Sequence, residues 1–341
     1  MRKTPVHVAW QTTSSCNLNC IHCYANAGPT ARTANLLSTR EAMKVLRDIA
    51  DLGAESIVFT GGEPLMRSDI LYLVGYASDL NLKPILVTNG TLLDTDTIKQ
   101  LRSVNATVTI NLPTVNEEIH EKFTGVKSSL VRKLRSIESC LKYGLKCSIG
   151  VALTNMNISY VEEVLEYAKE RGLYCDLLCV VPMGRATINM IPKGKYYISF
   201  LLNILKTWKA IPMNAITSDV NTFVSVYEPI YPALMKMEGL EVSNRLCSIG
   251  DTIHVMENGY VRTCVFLPVV VGNVRKRRLT EIWEKLVKND FIMKLKNPRN
   301  LKGKCRDCIF NEICGGCRAR TYLITGDYFE SDPICYLTRE G

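Results

Sequence analysis

The chain has 341 residues, enough for one large domain or two smaller ones with real hydrophobic cores. Apolar residues make up 47% and charged residues 22%, which is typical of a globular protein. The net charge of +9 is dispersed, apart from the run at 275–278, which we interpret as a solvated turn rather than a binding patch.

The opening residues MRKTPVHVAWQTT contain no apolar run of the kind found in a signal peptide. Elsewhere the nearest approach to a membrane span, 198–205, is interrupted by Asn203. We therefore expect a cytoplasmic protein. The 14 cysteines then favour metal or redox chemistry over a disulfide framework.

Short segments rich in Val, Ile and Thr alternate with helical patterns through the first half of the chain. Six β–α units of this kind predict an α/β fold with a parallel sheet, a (β/α)6 partial barrel whose functional groups lie at the carboxyl ends of the strands. The predicted strands are 6–12, 56–60, 84–88, 106–112, 146–153 and 175–182.

Two of the predicted helices have the sequence pattern of a capping box. Ser38 precedes Glu41 by three residues, and Ser159 precedes Glu162 in the same way. We expect each serine to cap its helix, with glycine ending the helix at Gly53 and Gly172.

The regular alternation of predicted strands and helices ends near residue 182. Residues 183–245 read as a bridge with one helix near 195–209, and 246–341 as a small Cys-rich iron–sulfur domain held by metal rather than by a large core. The predicted division is therefore 1–182, 183–245 and 246–341.

Cys16, Cys20 and Cys23 form the pattern C-x3-C-x2-C directly after the first predicted strand. Three thiolates can hold three irons of a [4Fe–4S] cluster and leave the fourth iron open to a chelating cofactor. A structural zinc site would need a fourth ligand, and His22 lies where its side chain should diverge from the cysteines.

Gly61, Gly62, Glu63 and Pro64 follow the second predicted strand. Glycines there permit close approach of a ligand to the backbone, and Glu63 offers an acceptor for an ammonium group. Together with the cysteine pattern, this segment resembles the signature of the radical S-adenosylmethionine (SAM) superfamily. The resemblance covers roughly residues 6–182.

The resemblance implies that Cys16, Cys20 and Cys23 hold a [4Fe–4S] cluster whose open iron binds SAM. It also implies that the GGEP segment holds the amino group of SAM, and that further contacts come from other strand ends. One electron from the cluster then breaks the C5′–S bond and yields a 5′-deoxyadenosyl radical, which takes a hydrogen atom from a substrate. The further contacts are Thr88, Asn89, Asn111 and Asn155, which could equally be strand-end turns.

The carboxyl-terminal cysteines follow C-x11-G-x4-C and then C-x2-C-x5-C-x2-C, which resembles the SPASM extension of some radical SAM enzymes. The resemblance implies one or two auxiliary [4Fe–4S] clusters; a zinc ribbon is the alternative. The implied ligands are Cys305, Cys308, Cys314 and Cys335 for an outer cluster, and Cys247, Cys264 and Cys317 for an inner one. Cys317 departs from the family spacing by one residue, which leaves its placement and a fourth inner ligand open.

Four further cysteines, Cys140, Cys147, Cys175 and Cys179, lie in apolar helix or strand patterns, and we interpret them as buried structural thiols. The sequence around Cys314 to Cys335 resembles the haem and haem d1 biosynthesis branch of these enzymes, which acts on acidic side chains of iron porphyrinoids. Arg318 and Arg320 could meet such carboxylates or lie on the surface.

The competing hypotheses are a peptide (RiPP) or tungsten-pterin cofactor maturase within the same superfamily, and a non-catalytic iron–sulfur electron carrier or a zinc protein outside it. The expected partners are a porphyrinoid or peptide substrate and a low-potential electron donor such as ferredoxin or flavodoxin. Neither a membrane span nor a nucleic-acid partner is expected.

Overall fold

The computed structural model describes residues 4–5, 7–31, 35–213, 223–242, 245–335 and 337. All six predicted strands of the first half are present, although Val6, at the start of the first one, lies outside the described residues. They are His7–Gln11 (β1), Ser56–Thr60 (β2), Lys83–Thr88 (β3), Thr107–Asn111 (β4), Cys147–Leu153 (β5) and Tyr174–Cys179 (β6).

These strands pair side by side in chain order, and every pair is parallel. The chain between them forms helices that cover one face of the sheet, the arrangement predicted for a partial barrel. The helices are Thr39–Asp51 (α1), Ile70–Asp79 (α2), Thr95–Ser103 (α3), Glu117–Thr124 (α4), Ser129–Tyr143 (α5) and Val161–Glu170 (α6).

Only one of the two predicted capping boxes forms. The Ser38 hydroxyl accepts from the Glu41 backbone and the Glu41 carboxylate accepts from the Ser38 backbone at 2.8 Å. Ser159 instead lies inside a short 3-10 turn, Ile158–Tyr160, which runs directly into α6. The cap prediction for Ser159 was wrong because that turn already places the backbone of Tyr160 at the helix start.

The segment 183–245 contributes to the same sheet. Its elements are Gly194–Trp208 (α7), Ile211–Pro212 (β7), Val224–Tyr227 (β8) and Tyr231–Met237 (α8), with β8 parallel to β6 and β7 parallel to β8. The predicted helix at 195–209 thus corresponds to α7.

The carboxyl-terminal segment also joins the sheet, on its other edge. Thr252–Val255 (β9) pairs parallel to β1, and an antiparallel hairpin continues through Tyr260–Arg262 (β10) to Val270–Asn273 (β11). The sheet has 11 strands in the order β11-β10-β9-β1-β2-β3-β4-β5-β6-β8-β7. The remaining helices are Leu279–Leu286 (α9), Asp290–Lys296 (α10), Gly303–Arg306 (α11) and Arg318–Thr325 (α12).

The main core lies between the sheet and its helices, because one residue in two along each strand points that way. Val8, Trp10, Ile253 and Val261 belong to it, so β9 and β10 share the core of the barrel. The expectation of a carboxyl-terminal region without a large core therefore holds only beyond about residue 300. Among the helices of the described residues, none is both long and apolar enough to cross a membrane.

The basic run at 275–278 is anchored rather than merely solvated. The Arg275 guanidinium donates to Glu41 at 2.7 Å, and the Arg278 guanidinium donates to Asp48 at 2.6 Å. Both acceptors lie on α1, so this turn fastens the hairpin region to the first helix of the barrel.

Candidate active site

The first three cysteines lie in the loop that follows β1. Cys16 is buried, and Cys20 and Cys23 are half-buried, all packed with Leu18 and Ala27 in one small cluster. His22 points into the protein, where its ring packs against Phe123 with centroids 4.7 Å apart. The loop therefore brings the three cysteines into one cluster, and their role as ligands of an iron–sulfur cluster stays a prediction.

Backbone and side-chain N–H groups are directed at two of these sulfurs. Leu18 N donates to Cys16 Sγ and Ala27 N donates to Cys23 Sγ, both at 3.4 Å. The Asn89 amide lies 3.8 Å from Cys16 Sγ. Such donors stabilise the thiolate form and are a usual feature of cluster-binding loops, so the donor set suits an iron–sulfur cluster.

Burial is the largest influence on the pKa of Cys16 and of Cys20 in the absence of metal. It raises the pKa of Cys16, and it raises the pKa of Cys20 to about 11 although the charge of Lys133 opposes the shift. Without metal these two thiols hold their protons at neutral pH. Metal binding must displace those protons, since only the thiolate is a ligand.

The two glycines of the GGEP segment are required by close packing against the chain itself. A Cβ on Gly62 would lie 2.1 Å from the Ser15 carbonyl oxygen, and one on Gly61 would lie 2.6 Å from the Thr13 carbonyl oxygen. Gly62 N donates to Thr13 O and Glu63 N donates to Ser15 O, each at 2.7 Å. The segment is thereby fixed against the start of the cysteine loop.

Glu63 is completely buried and binds the end of β3 to the end of β2. Its Oε1 accepts from the Thr88 hydroxyl at 2.7 Å and from Leu65 N at 3.1 Å, while Oε2 accepts from Asn89 N at 2.7 Å. Burial raises the pKa of this carboxyl group against these hydrogen bonds. Oε2 retains acceptor capacity for a further donor.

The other predicted SAM contacts differ in where the structure places them. Pro64 begins a 3-10 turn, and Thr88 and Asn89 contact Glu63 directly. Asn111 ends β4, and its carbonyl accepts from Lys133 at 2.8 Å. Asn155 is exposed, and its amide donates to the Asn189 carbonyl, so no described contact joins it to the cysteine loop.

Two basic residues that the sequence analysis did not single out lie at this site. Lys133 is 1% exposed, and burial lowers its pKa to about 8 while the charges of Cys20 and Glu63 oppose the shift. Arg185 donates from Nε to Cys20 O at 2.8 Å. A lysine on the buried helix stripe of Leu130 and Ile137 was a visible signal; Arg185, far along the chain, gave none.

The four cysteines assigned to an outer cluster line one cavity in the carboxyl-terminal region, together with Tyr197 and Phe310. Phe310 N donates to Cys308 Sγ at 3.5 Å and Gly316 N donates to Cys314 Sγ at 3.4 Å. The cavity and its donors suit a cubane cluster. The grouped residues are Cys305, Cys308, Cys314 and Cys335.

The three inner cysteines, Cys247, Cys264 and Cys317, pack around a separate small apolar cluster that includes Leu267. Burial raises the pKa of the nearby Tyr227 hydroxyl, and the charges of these same three thiols add to that effect. Among the described residues no three His, Cys, Asp or Glu side chains converge as closely as a single metal ion requires. A cubane spreads its ligands over separate corners, and this wider grouping fits one.

The scattered cysteines are largely buried. Cys140, Cys175 and Cys179 are at most 6% exposed, while Cys147 is half-buried and its free thiol is hydrogen-bonded to the free thiol of Cys140. The structural interpretation therefore fits Cys140 and Cys147. Cys179 lies close enough to Cys317 for their charges to interact.

Arg318 and Arg320 are buried and are not surface groups. Both are 1% exposed. Arg320 donates to Glu228 at 3.0 Å and to Asp332 at 2.7 Å, and Arg318 donates to the Glu330 carbonyl at 2.8 Å. The surface alternative was wrong for both residues. The carboxylates of Glu228 and Asp332 occupy Arg320, which excludes a substrate carboxylate there. Nε and Nη2 of Arg318 are buried without a partner among the described residues, so a substrate carboxylate stays a prediction for Arg318 alone.

Comparison with known proteins identifies the family. A model described as the radical SAM superfamily matches residues 10–168, and one described as an iron–sulfur cluster-binding domain, SPASM, matches 247–309. An AdoMet-dependent heme synthase of Methanosarcina barkeri is 32% identical, over 98% of this chain and 97% of that protein. A pre-heme d1 synthase of Dinoroseobacter shibae is 26% identical over 99% and 88%.

More distant matches share the same architecture. A PqqA peptide cyclase of Granulibacter bethesdensis is 23% identical, over 98% of this chain and 88% of that protein. The crystal structure of Streptococcus suis SuiB bound to SAM superposes with a TM-score of 0.74 at 17% identity, over 98% and 78% of the two chains. The chain is therefore an enzyme of the radical SAM superfamily, which uses a [4Fe–4S] cluster and SAM, and its SPASM domain holds auxiliary iron–sulfur clusters.

Proposed function

We propose that this enzyme modifies the acidic side chains of an iron porphyrinoid, by oxidative decarboxylation or side-chain removal. The observation that carries the proposal is the match to the AdoMet-dependent heme synthase, which covers 98% of this chain and therefore includes both the barrel and the iron–sulfur region. The relative named pre-heme d1 synthase also covers nearly the whole chain and points to the same substrate class.

The proposed ligands of the catalytic cluster are Cys16, Cys20 and Cys23. When bound, the cluster and SAM supply the radical that removes hydrogen from the substrate. The side chains of this protein position the ligands and shield them from water. Glu63 and Asn89 hold the ends of β2 and β3 beside the thiols. Tyr24 packs edge-on against Phe266, with ring centroids 5.5 Å apart. That ring contact joins the cysteine loop to the loop after Cys264 and helps to exclude water.

The proposed SAM contacts are Glu63, through Oε2, and the neighbouring Asn89 and Asn111. Lys133 stands beside the same thiols, and its positive charge suits an anionic ligand. The proposed auxiliary ligands are Cys305, Cys308, Cys314 and Cys335 for the outer cluster, and Cys247, Cys264 and Cys317 for the inner one. Support for them is the shared cavity of the outer four and the shared surroundings of Tyr227 for the inner three.

The proposal also includes the three-part division at residues 182 and 245, a cytoplasmic location and a ferredoxin or flavodoxin as electron donor. The first boundary is placed where the six regular β–α units end after β6, although both later segments add strands to the same sheet. A cytoplasmic location and a low-potential donor suit chemistry that needs a strongly reducing cluster.

The test is anaerobic reconstitution of the clusters, followed by incubation with dithionite, SAM and an iron coproporphyrin. We expect 5′-deoxyadenosine to form, together with a porphyrin product that has lost side-chain carboxyl groups, as read by mass spectrometry. Formation of 5′-deoxyadenosine with an unchanged porphyrin would contradict the proposed substrate while leaving the enzyme class intact.

Peptide modification is the second candidate, since a relative named peptide cyclase covers 98% of this chain. Its lower identity of 23% places it behind the porphyrinoid. A peptide substrate would be indicated if 5′-deoxyadenosine formation rose on adding a peptide and not on adding a porphyrin.

A further inference from the structure

The face of the sheet opposite the main core carries polar side chains. In β1 the core takes Val8 and Trp10, so Ala9 and Gln11 point to the barrel interior. Ala9 pairs with His254 of β9, and His254 pairs with Arg262 of β10, so these two side chains lie on the same interior face. We call Gln11, His254 and Arg262 the interior wall.

Atoms of the interior wall are buried without a partner. Gln11 is 2% and His254 5% exposed, yet Gln11 Oε1 and His254 Nε2 have no hydrogen-bond partner among the described residues. The same holds for Nε and Nη1 of Arg262. Buried polar groups are normally paired, so the unpaired nitrogens of His254 and Arg262, side by side on one face, indicate a missing polar ligand.

The unpaired donors call for an anion. Arg262 is always charged, and no ion pair within the described part of the chain involves it. Burial lowers the pKa of His254 to about 3, so the ring is neutral and can donate a hydrogen bond without a counter-ion of its own. A carboxylate matches a guanidinium with an adjacent neutral donor.

The wall lies between the two metal-binding regions. Arg262 precedes Cys264 by two residues, and Phe266 of the same loop contacts Tyr24, the residue after Cys23. A ligand held by Arg262 in the barrel interior would therefore lie near both the cysteine loop and the inner cysteines.

We propose that Arg262, assisted by His254, binds a carboxylate side chain of the substrate in the barrel interior. This rests on the proposed function, because the porphyrinoid supplies the carboxylates. A second carboxylate-bearing side chain held away from the reacting one would fix the orientation of the flat ring. Arg262 is a substrate-binding residue in this view.

The test is direct titration of reconstituted holoenzyme with two probes, iron coproporphyrin and its tetramethyl ester. Binding is measured by absorption spectroscopy. Wild type should bind the acid more tightly than the ester. Arg262→Gln should weaken binding of the acid about 10- to 100-fold, the range of one charged hydrogen bond, and leave the ester unchanged. Arg262→Lys should retain part of the preference for the acid.

The matched control is Arg277→Gln, an exposed arginine of the anchored turn, which should leave both affinities unchanged. The acid-to-ester ratio is measured on one preparation, so a fraction of misfolded protein affects both values equally. Production of 5′-deoxyadenosine from SAM without porphyrin reports separately on the catalytic cluster of each variant.

Three outcomes would overturn the inference. Equal acid-to-ester ratios in wild type and Arg262→Gln would remove Arg262 from the substrate site while the proposed function stands. An altered auxiliary-cluster EPR signal in Arg262→Gln with unchanged affinities would mean that the arginine serves the inner cluster instead. Failure of wild type to bind either probe would overturn the porphyrinoid proposal and the subsite together.

Discussion

Gly62 lies where the backbone of the GGEP segment crosses the backbone that leads into the cysteine loop. A side chain there meets the Ser15 carbonyl, a main-chain atom that cannot swing aside. Gly172, at the end of α6, offers a contrast: its φ is +63°, and no heavy atom lies within 4 Å of a built Cβ. The two glycines separate the effect of close approach from that of backbone conformation alone.

Gly62→Ala should therefore destabilise the protein by about 3 kcal/mol or more and abolish iron binding at the first three cysteines. Gly172→Ala should cost only about 1–2 kcal/mol, the strain of a left-handed backbone with a side chain. Iron and sulfide counts with a urea unfolding curve measure both. Full cluster content in Gly62→Ala would refute the contact.

Cys20 and Cys140 should differ in role, because Cys20 lies half-buried in the cysteine loop and Cys140 is buried in the main core. Cys20→Ala should abolish 5′-deoxyadenosine formation, because two thiolates cannot retain the catalytic cluster. Cys140→Ala, in the core beside Cys147, should leave the product nearly intact and lower the stability by about 1 kcal/mol. Equal loss of product in the two variants would show that the thiols are wrongly sorted.

At the scale of elements, α1 and α6 start differently although their sequences carry the same serine and glutamate spacing. Ser38 caps α1 and exchanges two hydrogen bonds with Glu41, whereas a 3-10 turn leads into α6. Tertiary packing decides the difference, since Ile158 of that turn is buried in the main core.

Ser38→Ala should therefore lower the free energy of unfolding by about 1 kcal/mol, the usual value of an N-cap. Ser159→Ala should change it by less than about 0.5 kcal/mol, as for other surface substitutions. Urea midpoints give both numbers. A larger effect at Ser159 would contradict the observed start of α6.

At the scale of the whole molecule, one buried ion cluster joins the barrel to the last helix. Arg320 on α12 lies between Glu228, which follows β8, and Asp332, which also accepts from Cys317 N at 2.7 Å. Tyr197 on α7 donates to Glu228 at 2.9 Å. All four side chains are at most 5% exposed, so the loss of the central cation leaves two buried carboxylates uncompensated.

Arg320→Met should destabilise the protein by about 3–5 kcal/mol and reduce the auxiliary iron content. Lys302→Met removes an exposed pair with Asp327 of similar length, 2.6 Å, and should cost under about 1 kcal/mol. Thermal unfolding with iron analysis measures both. Similar losses in the two variants would mean that burial does not set the difference.

Metal removal should act unevenly across the molecule. The segment 303–314 has few buried apolar side chains, and Ile309 is 87% exposed, so we expect the order of this segment to depend on the proposed outer cluster. After chelation we expect amides there to lose protection from hydrogen exchange, while β2 to β5 keep theirs. Uniform loss of protection would indicate that the barrel also needs metal to fold.

Family membership decides between the enzyme hypothesis and the alternatives of an electron carrier or a zinc protein. The substrate cannot be decided in that way, because haem-type and peptide-type relatives share the fold. Recognition depends on interior side chains, and those are brought together by strand pairing rather than by sequence proximity.

The sequence by itself determined the cysteine spacings, the GGEP segment and the six β–α units, because each depends on local spacing and periodicity. The tertiary structure alone decided the burial of Arg318 and Arg320, the partners of Lys133 and the residues that form the interior wall. Burial and pairing between distant strands set those outcomes: Ala9 meets His254, and His254 meets Arg262, only once β9 and β10 join the edge of the sheet.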